Sequence, residues 1–329
     1  MEPLAAFVTP GKSLSEATER VRLAELLGYE SAFTSHIAQR DGLMILAAYA
    51  AATERIRLGT AVVPAFPRHP IAMASEAATL DELSGGRLIL GIGTSHAATM
   101  QGWFGFEFSK PLTQLKEYTS IVRSLIREGK VEHSGEFYTA NFAFAGYSAR
   151  PDLPIYVSGL SPNTLKWAGA TADGVILWCC LPGYIEQTVA PIVRAAEKEA
   201  GRPEGSCKIV AAVPTAATDD EEAVRVALRR DLLVYWTLPF YRRVIGAAGF
   251  EDDIARFDEK LGQGDANGAA ANISDEFLDQ IAAFGDATRI GKKLAEYRAA
   301  GTDVPMVGPV AMRPEAGTPE QTLQVAIEA

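Results

Sequence analysis

The sequence predicts a (β/α)8 TIM barrel occupying residues 1–329 as a single domain, and three observations predict it. Eight short apolar runs recur along the chain, segments of helical period separate them, and 329 residues suit one large barrel. The runs are Pro3 to Val8, Glu30 to Thr34, Ile56 to Val63, Arg87 to Gly91, Ile155 to Ser158, Gly174 to Trp178, Lys208 to Val213 and Val304 to Val307. Several are apolar at every position, Val175-Ile176-Leu177-Trp178 among them, as strands buried on both faces must be. A doubly wound open sheet uses the same alternation and stands as the structural alternative.

In chain order, the first run leads into a helix with Leu14, Ala17, Val21 and Ala24 on one face; Ser13 with Glu16 forms a capping-box pattern, and Gly28 marks the end. The second run ends in Phe33-Thr34-Ser35-His36. The third ends in Thr60, Ala61, Val62 and Val63 before Pro64, small and β-branched side chains that suit a flat apolar wall or ordinary barrel core. The fourth follows Gly85-Gly86 and runs into Gly91-Ile92-Gly93-Thr94-Ser95-His96, where backbone can approach a ligand closely.

An insertion at about 94–150 then reads as a helix (Leu112, Leu115, Ile121, Leu125) flanked by aromatic-rich loops with Trp103, Phe104, Phe106 and Phe108 on one side and Phe137, Tyr138, Phe142 and Phe144 on the other. The fifth run passes through Ser158-Gly159-Leu160-Ser161-Pro162-Asn163 into a helix. Free N–H groups there suit a phosphate, while Ser161 or Asn163 equally suits a simple cap. A second insertion at about 218–286 is strongly helical and contains the small-residue segment Gly262 to Ser274, which reads as a mobile loop. Ile290, Leu294 and Tyr297 mark the last helix.

Composition removes several classes of function. With 41 acidic and 31 basic residues the net charge is −10, which repels nucleic acid and anionic membranes. No stretch nears the roughly 20 apolar residues of a membrane span, and no secretory signal opens the chain, so a cytoplasmic protein is expected. Cys179, Cys180 and Cys207 form neither a disulfide framework nor a metal motif; they read as core residues, and no metal site is expected.

Barrel active sites lie where strands end, so His36 and His96, after the second and fourth runs, fall at one rim. Imidazoles titrate near neutrality and suit proton transfer, which makes this pair the candidate catalytic residues, with packing as the plain alternative for each. His69, in the Arg68-His69-Pro70 run at a helix start, reads as a capping or packing residue, and His133 lies in an insertion. Two other motifs fail. Gly91-Ile92-Gly93 lacks the third glycine of a dinucleotide fingerprint and stands fourth in the series instead of first. Gly93-Thr94-Ser95-His96-Ala97 approaches a nucleophile elbow, yet His133 alone follows and no later histidine completes a triad.

The blocks TERIRLGTAVVPAFPRHPIAMASEAATLDELSGGRLILGIGTSH (Thr53 to His96) and LPIYVSGLSPNTLKWAGATADGVILW (Leu153 to Trp178) resemble the luciferase-like monooxygenase superfamily, especially its coenzyme F420-dependent branch. The likeness covers most of residues 3–180, with a weaker echo in the final βα unit. It implies a flavin or deazaflavin ring at the C-terminal rim, a cis non-proline peptide at Ala61-Val62, and a cofactor phosphate held by Ser158, Gly159, Leu160 and Ser161. By the same matching, Ser35, His36, Thr60, Ala61, Val62, Thr94, Ser95 and Thr99 complete the cofactor contacts, and His36 serves in proton transfer or anion stabilisation.

The activity so implied is hydride transfer between coenzyme F420 and a small organic substrate, by a homodimer. An FMN-dependent monooxygenase and a non-catalytic flavin-binding protein are the alternatives. Ser35 stands where some relatives have aspartate, and His96 where sugar-phosphate dehydrogenases of the branch have an acid, which argues against a sugar phosphate. The aromatic insertions suit a partly apolar substrate pocket or a dimer contact.

Overall fold

The strands form a parallel (β/α)8 barrel, with the last stave beside the first. A computed structural model describes residues 2–36, 38 and 40–329. The staves are Ala5–Phe7, Ser31–Thr34, Arg57–Thr60, Leu88–Gly93, Ile155–Ser158, Gly174–Leu177, Lys208–Ala216 and Val304–Pro309. Each falls on one of the eight apolar runs. The chain divides into two compact units, residues 8–159 with 172–176, and residues 1–7, 160–171 and 177–329.

In the first unit, Ser31 to Thr34 pair in register with Arg57 to Thr60, Leu58 pairs with Leu88, Leu90 with Ile155, and Tyr156 with Gly174. The stave positions are almost wholly apolar and buried, Leu58, Leu88, Leu90, Val157 and Val175 among them. The first helix, Leu14–Leu27, begins as its capping pattern predicts: Ser13 accepts from the Glu16 N–H at 3.2 Å, and Gly28 closes it at φ 90°, a left-handed conformation that glycine adopts without cost. The insertion differs from the sequence reading in one respect. The aromatic residues after the Pro111–Glu128 helix belong to an antiparallel hairpin, Lys130–Ser134 with Thr139–Ala143, not to a loop. The Glu117 carboxylate ties its turn by accepting the N–H groups of Glu136, Phe137 and Tyr138.

In the second unit, Ala5 pairs with Met306 and Val210 with Val304, while the short strand Ala283–Phe284 adds to the end of Lys208–Ala216. The insertion at 218–286 is helical, as expected, and packs around Trp236, whose ring lies 5.6 Å from Phe257 and 5.1 Å from Phe277. Residues Gly262 to Ser274 are not the loose loop that their composition predicts. Asp265 caps the helix Ala266–Ala271 by accepting the Gly268 N–H at 2.7 Å, and Ala269 and Ile273 are fully buried in the Trp236 core. Two apolar anchors thus override a weak local preference. All three cysteines are buried, and none takes part in a disulfide. No helix of the described residues is long and apolar enough to cross a membrane.

Candidate active site at the strand ends

The ends of the second to fifth staves, all in the first unit, bring most of the expected site residues together. Three backbone ties organise them. The Ala61 N–H donates to the Thr34 carbonyl at 2.7 Å, the His36 N–H donates to the Val62 carbonyl at 3.2 Å, and the peptide between Ala61 and Val62 is cis, as the resemblance implies. The segment after the third stave is therefore fastened to the end of the second, with Ala61 and Val62 half-buried.

Glycine lets the fourth stave approach this segment. A Cβ at Gly91 would run into the Thr60 carbonyl, and one at Gly93 would collide with both the Val62 side chain and the Ser158 hydroxyl. Val62, Gly93 and Ser158 consequently meet in one place, and His36 joins them through Val62. The Thr60 hydroxyl is fully buried and spent on the fourth stave: it donates to the Gly91 carbonyl at 2.8 Å and accepts the Gly91 N–H at 2.9 Å.

His36 is held tightly. Its Nδ1 accepts the Gly42 N–H at 3.2 Å and lies 3.5 Å from the Asp41 carboxylate. Asp41 caps the helix Gly42–Ala52 through the Leu43 and Met44 N–H groups and is paired with Arg68, which also reaches Glu76 at 3.0 Å. Burial, followed by the nearby Arg68 charge, lowers the His36 pKa from 6.5. With Nδ1 as acceptor, a neutral ring carries its proton on Nε2.

His96 is set differently. It occupies the N-cap position of the helix Ala97–Phe104 without capping it through its side chain, and burial alone lowers its pKa. Ser95 precedes it at φ 59°, unusual for a residue with a side chain. Thr94 and Ser95 are half-buried, as is Thr99 one helical turn on. Beyond them Trp103, Phe104 and Phe106 are exposed, while Phe108 stacks on Phe66 at 5.4 Å.

Ser158 and Gly159 close this unit's share. Leu160 and Ser161 belong to the other, where the Ser161 hydroxyl accepts the Thr164 N–H at 3.2 Å and caps the helix Pro162–Thr171, and the Leu160 carbonyl accepts from the Tyr184 hydroxyl at 3.1 Å. Of the other histidines, His69 caps the helix Pro70–Leu83 through the Ile71 N–H, as expected, and His133 lies on the hairpin 3.5 Å from Glu117. No group of His, Cys, Asp and Glu among the described residues has the arrangement of a metal site. The sequence reading missed Asp41, Gly42 and Arg68. The signals were present, since Asp41 precedes a long apolar helix and Arg68 sits beside His69-Pro70, but nothing linear joins them to His36.

Imidazoles, hydroxyls and glycines gather at the strand ends, where barrel enzymes carry their sites, and the comparisons with known proteins name the class. The luciferase-like monooxygenase family model matches residues 3–304. A Mycobacterium tuberculosis protein named as a candidate coenzyme F420-dependent oxidoreductase is 30% identical, with 94% of this chain and 92% of the relative covered. The 5,10-methylenetetrahydromethanopterin reductase of Methanopyrus kandleri is 27% identical over 91% of this chain and 90% of its own. Among solved structures, the coenzyme F420-dependent tetrahydromethanopterin reductase of Methanopyrus kandleri shares the fold at a TM-score of 0.86, with 24% identity and 100% and 98% of the two chains covered. The chain belongs to the luciferase-like monooxygenase family, and the relatives named above are oxidoreductases.

Proposed function

We propose that the protein binds coenzyme F420 at the ends of the second to fifth staves and catalyses hydride transfer between it and a small, partly apolar organic substrate. The observation that carries this reading is the convergence of Val62, Gly93 and Ser158, with His36 tied to Val62. The residues fit such a group. Ala61 and Val62 offer an apolar backing for a planar ring, Ser158 and Gly159 offer hydrogen-bond donors to a phosphate, and Leu160 and Ser161 extend that run. Ser35, Thr94, Ser95 and Thr99 supply further polar contacts, while Thr60 acts from behind, fixing the backbone of Gly91. The name of the mycobacterial relative favours the deazaflavin over FMN.

When bound, the deazaflavin supplies the hydride chemistry; the protein supplies position and charge. His36, with Nδ1 held by the Gly42 N–H, presents a proton on Nε2 to an oxygen that gains negative charge, and His96 lines the same rim from the fourth stave. The exposed aromatic side chains Trp103, Phe104 and Phe106 favour an apolar portion in the substrate.

Titrating the purified protein with F420 and with FMN, followed by fluorescence, tests the reading. Saturable F420 binding is expected, and it is expected to vanish in Gly93→Val, whose side chain would push Val62 and Ser158 apart. Tight FMN binding without F420 affinity would overturn it in favour of an FMN-dependent monooxygenase. F420 binding with no substrate-dependent oxidation across a broad panel of alcohols and other reductants would leave a flavin-binding protein.

A further inference from the structure

Two charged residues, Asp41 and Arg68, stand behind the His36 ring. Asp41 places a carboxylate oxygen 3.5 Å from Nδ1. A carboxylate so close ordinarily draws a proton onto the nearer nitrogen and turns imidazole into imidazolium. The ring is not arranged that way, because Nδ1 accepts from the Gly42 N–H at 3.2 Å and its lone pair is used there. The carboxylate is answered from the other side. Arg68, 27 residues along the chain, binds the same Oδ2 that faces His36, while Oδ1 caps the following helix through Leu43 and Met44.

We propose that Arg68 is a positioning residue: by occupying the Asp41 carboxylate it keeps His36 a neutral imidazole with its proton on Nε2. This rests on the function proposed above for His36 and adds to it the device that sets the protonation state. The surrounding groups agree. Behind Arg68 stand Glu76 on the helix Pro70–Leu83 and the buried Tyr118 on the helix Pro111–Glu128. From the third stave, Thr60 and Val63 lie beside Gly42, within the same packing as the His36 Cβ, and neither titrates. Asp41 is fixed as a helix cap, so it cannot swing away from the ring when Arg68 is removed. Protonating Nδ1 is then the way left to answer its charge.

The test is the titration of the four histidine rings by NMR in cofactor-free protein, with His36→Ala assigning the His36 signals and long-range nitrogen couplings reporting the tautomer. In wild type, His36 is expected as the neutral Nε2–H form at pH 7. In Arg68→Met its half-titration is expected to move up by about one pH unit or more, which is about tenfold more imidazolium at a given pH. The double variant D41N/R68M is expected to return to the wild-type position, since the amide side chain keeps the cap without the charge. Asp41→Asn alone, with Arg68 left unanswered, is expected to move the half-titration down, and this holds as a test if Arg68→Met does not fold. An unmoved His36 in folded Arg68→Met, a double variant that stays shifted, or an Asp41→Asn that moves the ring up would overturn the proposal. None of these readings uses F420, so a failure to bind the cofactor would sink the proposed function without touching this one.

Discussion

Where the strands begin, carboxylates face backbone N–H groups; where they end, imidazoles, hydroxyls and glycines take their place. Glu25 accepts the N–H groups of Glu54, Arg55 and Ile56 as the third stave starts. Asp81 accepts from Leu88 at 3.2 Å at the head of the fourth, Asp173 from Ile155 at 2.9 Å at the head of the fifth, and, in the second unit, Asp303 from Ile209 at 2.7 Å. Three of these acids are also paired with an arginine, Asp81 with Arg150, Asp173 with Arg123 and Asp303 with Arg194. Charge at the starts is thus paired and spent on holding register. At the ends the groups that can move a proton are imidazoles, and burial lowers the pKa of both His36 and His96. That contrast matches the proposed function, which puts the chemistry at the upper rim and leaves the lower rim to hold the fold.

The difference predicts opposite signatures for substitutions at the two rims, and the largest effect is expected above. His36→Ala removes the proposed proton donor and is expected to lower turnover about 10²- to 10⁴-fold. F420 is still expected to bind, and the unfolding midpoint to change little, because the ring is held by the Gly42 N–H of its own loop. Steady-state kinetics beside a cofactor titration checks this. Turnover that survives while the cofactor remains bound would remove His36 from the chemistry and erase the contrast.

Below, Asp81→Ala is expected to cost stability instead. It leaves the two-pronged Arg150 guanidinium and the Leu88 N–H without their shared partner, and breaking a buried ion pair from one side costs about 3 kcal/mol. Denaturant unfolding measures that loss, and turnover per folded molecule is expected to stay at the wild-type value. A selective loss of turnover would show that the rims are not separable.

The two rims were unequally legible in the sequence. The starts and courses of the staves could be read because short runs such as Ile155 to Val157 are apolar throughout and alternate with segments of helical period. Ser13 and Gly28 announced the first helix through local chemistry alone. The hairpin from Lys130 to Ala143 could not be read so: its buried positions, Val131 and Ala140, are sparse among exposed ones, so neither strand shows an apolar run. The Gly262 to Ser274 segment misled because Ala269 and Ile273 gain their burial from a core built elsewhere. At the site, His36 could be named because it follows the end of a stave, and Val62 and Ser158 through the family resemblance. Arg68 could not, since its relation to Asp41 exists only once the third stave has turned back past the second.

The smallest effect sharpens the lower rim by pH. Burial pushes the Glu25 carboxyl up, but its three backbone N–H bonds and the Arg55 charge outweigh burial and hold it below the ordinary 4.5. In the unfolded chain the same group takes up its proton at the ordinary value. Stability from this clasp is therefore complete above pH 4.5 and is lost as the pH falls below that value toward the folded one. Glu25 is half-buried, so solvent screens the clasp, and Glu25→Gln is expected to cost about 1 kcal/mol at neutral pH. The wild-type and variant unfolding curves should then converge as the pH is lowered, because acid removes from the wild type what the substitution has already removed. Curves that stay parallel down to about pH 3 would mean that the carboxylate's charge does no work there, and that the start of the third stave is held by packing rather than by the acid.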